Sequence, residues 1–168
     1  QGNQVMVKAA SRSILVGFLL ALAVGFFFGM TTPSMPELNA QLAGRTNPNL
    51  LDLWIALFSG IAAAYALARP GLVAALPGVA IAAALVPPIA TVGICLAAGQ
   101  LTSAAGAALL FATNLVAIIV ASAGTLYMMG IRANHNQTGT RLFVKRIWTT
   151  LLVAMMVLSI PLVISLLS

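Results

Sequence analysis

The stretch Ala84-Leu85-Val86-Pro87-Pro88-Ile89-Ala90 lies at the centre of the apolar run Leu72 to Ala98, and its reading decides the fold. A proline lacks a backbone donor, and its ring crowds the carbonyl four residues earlier. The residue before a proline is pushed away from helical angles, which places an expected break at Val86 and Pro87. In hydrocarbon an unpaired carbonyl is costly, so irregular backbone is tolerated only where protein or a water-filled cavity covers it. The sequence therefore predicts a broken span in the interior of a bundle, with the other helices arranged around it.

Composition supplies the bundle. The chain has 168 residues, 61% hydrophobic and 6% charged, with a mean hydropathy of +1.08. Soluble domains carry about 25% charged residues. A water-soluble fold has no means of hiding this much apolar surface, so the fold class is all-α, a polytopic helical membrane protein. The net charge of +6 is a topology signal rather than a nucleic-acid footprint, because the basic residues are thinly spread and form no basic face with interleaved aromatics. Cys95 is the single cysteine, so an intramolecular disulfide is excluded. The chain opens on Gln1 rather than Met, as expected for a piece of a longer protein. Lys8 and Arg12 precede an apolar run long enough to span, without a clear cleavage site, so no signal peptide is read there.

Residues 1–168 read as one transmembrane domain of five spans, at 13–32, 50–68, 72–98 (broken), 104–130 and 147–167. Each is near or above the roughly 20 residues that a bilayer needs. Gln1 to Ser11 reads as an interfacial lead-in. Thr31 to Asn49 reads as a loop, since Pro33, Pro36, Gly44, Asn47 and Pro48 are too dense for a helix. Trp54 and Tyr65 near the ends of the second span suit the headgroup level. No charged residue occurs between Pro70 and Ile131, and the polar interruption Gly99 to Ser103 divides that length into two spans. With five crossings, Lys8, Arg12, Arg69, Arg132, Arg141, Lys145 and Arg146 fall on one side and only Arg45 on the other. The basic side is read as cytoplasmic, with the N-terminus and the loop 131–146 inside. A re-entrant hairpin at 72–98 is the alternative, and it would move that basic loop outside.

No catalytic constellation emerges. His135 sits between Asn134 and Asn136 in the basic loop and reads as solvated. Glu37 and Asp52 are the only acids, too few for a carboxylate pair beside a metal set. Asn136-Gln137-Thr138 matches a glycosylation sequon, which the cytoplasmic placement makes accidental. The polar groups inside apolar runs are the informative ones. Asn114 lies mid-span, and an amide in hydrocarbon seeks a partner. The carbonyls of Ala83 and Ala84, freed by Pro87 and Pro88, are the obvious ones. Two readings stay open. Asn114 either caps interrupted backbone, or it joins Thr113, Thr91, Pro87, Pro88 and the carbonyls around Val86 in a midplane solute or ion site, as discontinuous transporter helices do. Asp52 reads as solvated near an interface, with guarding a vestibule as the alternative.

The runs GVAIAAALVPPIATVGICLAAG (78–99) and GAALLFATNLVAIIVA (106–121), with Arg45-Thr46-Asn47-Pro48-Asn49-Leu50-Leu51-Asp52-Leu53-Trp54 before them, carry a resemblance. From Ser11 to Ile131 the chain resembles the hydrophobic membrane family catalogued as domain of unknown function 389, of bacteria and archaea. That resemblance implies further membrane sequence upstream with a second break; if such a break is present, the pair would resemble the two crossed halves of a repeat-built transporter. It implies no activity.

Two functions follow as expectations: a transporter or channel for a small solute or ion, or a membrane scaffold or sensor domain working through partner or soluble domains. An enzyme is not expected, for want of acid, base and nucleophile sets, and no cofactor is implied. The expected partners are the lipid bilayer of a prokaryotic cell membrane and a homo-oligomer. Self-association is read from the small-residue pairs Gly25/Gly29, Gly60/Ala64 and Ala104/Ala108.

Overall fold

The computed structural model describes residues 2–31, 42, 44–46, 49–69, 75–131, 149 and 153. Four long helices dominate them: α1 (Gly2–Thr31), α2 (Leu50–Ala68), α3 (Ala75–Ala97) and α4 (Leu101–Met128). Each contains an apolar window long enough to cross a membrane; in α1 that window is Ser11–Thr31. The 19 residues of α2 and the 28 of α4 correspond to about 28 and 42 Å at 1.5 Å per residue, against a hydrocarbon thickness of about 30 Å.

The surface is lipid-like. Phe27, Leu51 and Leu67 are each 70–71% exposed, and the buried positions go to small residues. Apolar surface can be left outside when the solvent is itself apolar, and helices then associate through close packing of small side chains. This is a helical membrane-type protein.

The helix ends are built locally. Asn49 caps α2: its side chain accepts from the Asp52 amide at 3.0 Å, and its own amide donates to Asp52 Oδ2 at 3.1 Å. This reciprocal box satisfies donors that the first turn would otherwise leave open. At the other end of α2 the Arg69 guanidinium lies over the Tyr65 ring, 5.2 Å from its centroid. α3 ends in a Schellman turn. Gly99, at φ 71°, donates to Leu96 O at 3.1 Å, and Gln100 donates to Cys95 O at 2.9 Å. α4 closes in the same way at Gly130, φ 80°, with bonds from Gly130 to Tyr127 O and from Ile131 to Leu126 O.

The chain divides into two compact units: one of Gln1–Asn47 with Val86–Ala108, the other of Pro48–Leu85 with Leu109–Ser168. In the first, α1 packs on the second half of α3 through glycines. Gly25 lies against the Ala90 backbone, Gly29 against Ile94 and Ala97, and Gly93 against Leu22 and Phe26. The GxxxG pair therefore serves helix packing within the chain. In the second unit, Leu53, Ala56, Ala84, Ala117 and Ile118 form the core, with Leu50, Leu57, Ile81 and Leu85 packed around it. The buried face of α2 is Leu53, Ala56, Gly60, Ala63 and Ala64, a spacing of three and four that keeps one stripe facing its neighbours. The α4 residues Leu110, Thr113, Asn114, Ala117 and Ile118 repeat that spacing.

Several expectations are corrected. The expected break at Pro87-Pro88 is absent: α3 is one helix from Ala75 to Ala97 with both prolines inside it. The physical reason is a comparison of losses. Two prolines remove two donors whether or not the helix unwinds, but unwinding a turn would release several further peptide groups into an apolar medium. Continuing the helix is the smaller cost, and the fixed proline φ is itself helical. Val86 is accordingly helical, with its side chain 48% exposed, rather than lining an interior break. The stretch read as a lead-in belongs to α1, which starts at Gly2, and α4 starts at Leu101 rather than at residue 104. Leu42 and residues 44–46, read as loop, are helical. The basic loop from residue 132, with His135 and the sequon, lies outside the described residues. So does the fifth span at 147–167, except for Thr149 and Val153, which are both helical.

Candidate functional site

The proline pair still leaves its mark. In a helix the amide at position 88 would bond the carbonyl of Ala84, and Pro88 has none to give. The second unit supplies the missing donor from α4: Asn114 Nδ2 donates to Ala84 O at 3.1 Å. Residues 114 and 84 are 30 apart in sequence, so this bond ties α3 to α4. It also replaces an intrahelical bond by a side-chain one. Prolines in membrane helices are tolerated on those terms.

Asn114 is 6% exposed. Its nitrogen is engaged, but Oδ1 is buried and has no donor. The orientation of the amide follows from the chemistry, because the Ala84 carbonyl requires the NH2 end. A buried acceptor left open costs about 1–3 kcal/mol. Ala84, Ala117 and Ile118 line the surrounding core, and none of their side chains is a donor.

The other sequence-predicted site residues behave differently. Thr113 is 1% exposed, and its hydroxyl donates to Leu109 O at 2.8 Å, one turn back on α4. Thr91 is 2% exposed, and its hydroxyl donates to Pro87 O at 3.0 Å, one turn back on α3. Both satisfy themselves on their own helices, as threonine commonly does in helices. Pro87 and Pro88 act by the donors they lack. Of the six residues proposed from sequence, Asn114 is the one whose side chain bridges helices, and its bond is to Ala84. The Asp52 carboxylate accepts from the Asn49 amide in the α2 cap.

One polar contact was missed by the sequence reading. Ser122 Oγ on α4 donates to Gly60 O on α2 at 3.0 Å. The available signal was Gly60 itself, which the sequence reading treats as part of a face for self-association. A Cβ there would lie 2.6 Å from Ile118 O and 3.0 Å from Ala121 Cβ, so α2 and α4 already meet at that point. Among the described residues, no three His, Cys, Asp or Glu side chains come together as a metal would need. The site is thus an uncharged one: an amide, a carbonyl relieved of its helical donor, and an apolar wall.

No curated protein and no solved structure is significantly similar to the chain. The family described as domain of unknown function (DUF389) matches residues 1–120. That match takes in α1, α2, the proline pair and Asn114, and the chain belongs to this family.

Proposed function

We propose that the protein is a transporter or channel for a small solute, with the solute held at the Asn114 amide beside the Ala84 carbonyl. The open Oδ1 of Asn114, buried among apolar residues, carries this reading. If the amide served only to cap Ala84, its oxygen would be a standing cost of about 1–3 kcal/mol. A solute that donates to it recovers that cost. Intramembrane polar groups that are expensive to keep are commonly groups that work. The proline pair contributes by withholding donors from Ala83 and Ala84, without any unwinding of α3. The reading requires no bond-making chemistry, and the protein is proposed as a non-enzyme of the prokaryotic cell membrane. Its N-terminus is placed in the cytoplasm on the distribution of Lys and Arg.

A scaffold or sensor role is the second reading, and the Asn114–Ala84 bond favours it, since that bond alone explains why an amide is present. A homo-oligomer, under either reading, would need surfaces other than Gly25, Gly29 and Gly60, which are covered within the chain.

Reconstitution of the full chain into liposomes separates the two. Under the transport reading, at least one of a panel of small solutes crosses faster than in protein-free vesicles. Asn114→Leu then removes that flux while the protein still folds. If no solute crosses faster, the scaffold reading stands; if a solute crosses but Asn114→Leu leaves the flux unchanged, transport stands and the Asn114 site does not.

A further inference from the structure

Resting on the solute site proposed above, we infer that what it accepts is a small uncharged hydrogen-bond donor. The buried amide oxygen of Asn114, next to the proline-relieved carbonyl of Ala84, offers acceptor atoms in surroundings without charge. The inference follows from which polar atoms are engaged. Asn114 Nδ2 donates to Ala84 O, the Thr113 hydroxyl to Leu109 O and the Ser122 hydroxyl to Gly60 O. Asn114 Oδ1 alone among these side-chain atoms is buried and open. The vacant half of the site is therefore an acceptor.

Charge decides the rest. An anion would meet an oxygen, and no cationic residue occurs anywhere from position 70 to position 131 to compensate it. A cation would find favourable oxygens but no carboxylate. The sequence has only Glu37 and Asp52 as acids, and the Asp52 carboxylate accepts from the Asn49 amide in the cap of α2. Two neutral oxygens, one of them already accepting, do not replace the hydration shell of an ion. An uncharged donor loses far less on leaving water and regains a hydrogen bond at Oδ1. Ala84, Ala117 and Ile118 belong to the buried apolar core of the same unit, and their side chains add no charge or further polar group for an ion.

The test uses the full chain in vesicles of phosphatidylcholine and phosphatidylglycerol, with urea and glycerol as uncharged donors and potassium and chloride as ions. Osmotic light scattering reads the first pair, and a potential-sensitive dye reads the second. The expected result is a rise of about tenfold or more in urea or glycerol permeability over protein-free vesicles, the equivalent of one hydrogen bond recovered at the site. That rise is lost in Asn114→Leu, and potassium and chloride stay at the protein-free level. The selectivity is measured on the unmodified protein, so the test survives a misfolded variant. Flux of potassium or chloride without urea or glycerol, sensitive to Asn114→Leu, would overturn the solute class and leave the site in place. Absence of flux for every probe would overturn both.

Discussion

The two units hold their helices together by different means. In the first, α1 meets α3 backbone against backbone: Gly25, Gly29 and Gly93 let the main chains approach where any side chain would stand between them. In the second, α2, α3 and α4 meet through alanines, and two polar side chains cross between helices, Asn114 to Ala84 O and Ser122 to Gly60 O. Lipid offers no hydrophobic drive for helices to associate, so contact must come from close packing or from polar bonds. The first unit uses shape, which tolerates no added atom. The second combines close approach at Gly60 with bonds, each modest, at least one of which leaves a group open for something else. Mutations should therefore be uniformly severe at the glycine contacts of the first unit, and graded across the contacts of the second.

The largest effects are expected at the α1–α3 contact. A Cβ on Gly25 would stand 2.8 Å from the Ala90 Cα, and one on Gly29 would stand 2.9 Å from the Ile94 Cα. Backbone atoms cannot swing aside. Gly25→Ala should cost about 1–3 kcal/mol as overpacking, which outweighs the roughly 1 kcal/mol that alanine gains in helix propensity. Gly17, on the same helix, has nothing within 4 Å of its added Cβ. Gly17→Ala should keep only the propensity gain and be neutral or stabilising. Thermal unfolding in detergent compares the two; equal and small effects would mean that α1 does not rest on α3 through these glycines.

An intermediate effect is expected at Asn114, and it should depend on Pro88. Asn114→Leu removes the donor to Ala84 O and leaves that carbonyl buried and open, at a cost of about 1–2 kcal/mol. Pro88→Ala restores a main-chain amide at the position that would bond Ala84 O within the helix. In the Pro88→Ala background the same Asn114→Leu change should be neutral or stabilising, because the carbonyl is no longer stranded and the open Oδ1 goes with the amide. A double-mutant cycle by unfolding in denaturant measures the coupling. Additive effects would show that the amide and the proline act independently, and that the bond is incidental.

These expectations also mark how far the sequence could be read. The four described spans were legible from hydropathy and length, because runs without charge have no alternative home. Asn114 and the Ala84 carbonyl were legible as partners, since a lone amide and stranded acceptors in one apolar segment leave few other solutions. The state of α3 was not. Proline rules learned in water weigh the loss of helical bonds against hydration of the freed groups, and hydrocarbon removes that compensation, so the helix persists. The Asp52 cap was not read from the sequence, although Asn49 stood three residues before it, at the spacing of a capping box; an exposed cap is compatible with the solvated reading of Asp52. The Ser122–Gly60 bond was invisible for a different reason. A serine on a small-residue stripe identifies no partner until the neighbouring helix is placed.

That bond should give the smallest effect. Ser122→Ala removes a donor to Gly60 O, but this carbonyl, unlike that of Ala84, lies in a helix with no proline four residues on: position 64 is Ala64, which has its own amide. Nothing is stranded by the change. The loss should be near the average for one hydrogen bond between membrane helices, about 0.6 kcal/mol. Replacing Gly60 itself should cost more, because its Cβ would press on Ile118 O at 2.6 Å. The ratio of the two, read from unfolding of Ser122→Ala and Gly60→Ala, tests what holds α2 to α4. A larger loss for Ser122→Ala would make the second unit depend on its polar bond rather than on close approach, and the contrast with the first unit would then be one of kind.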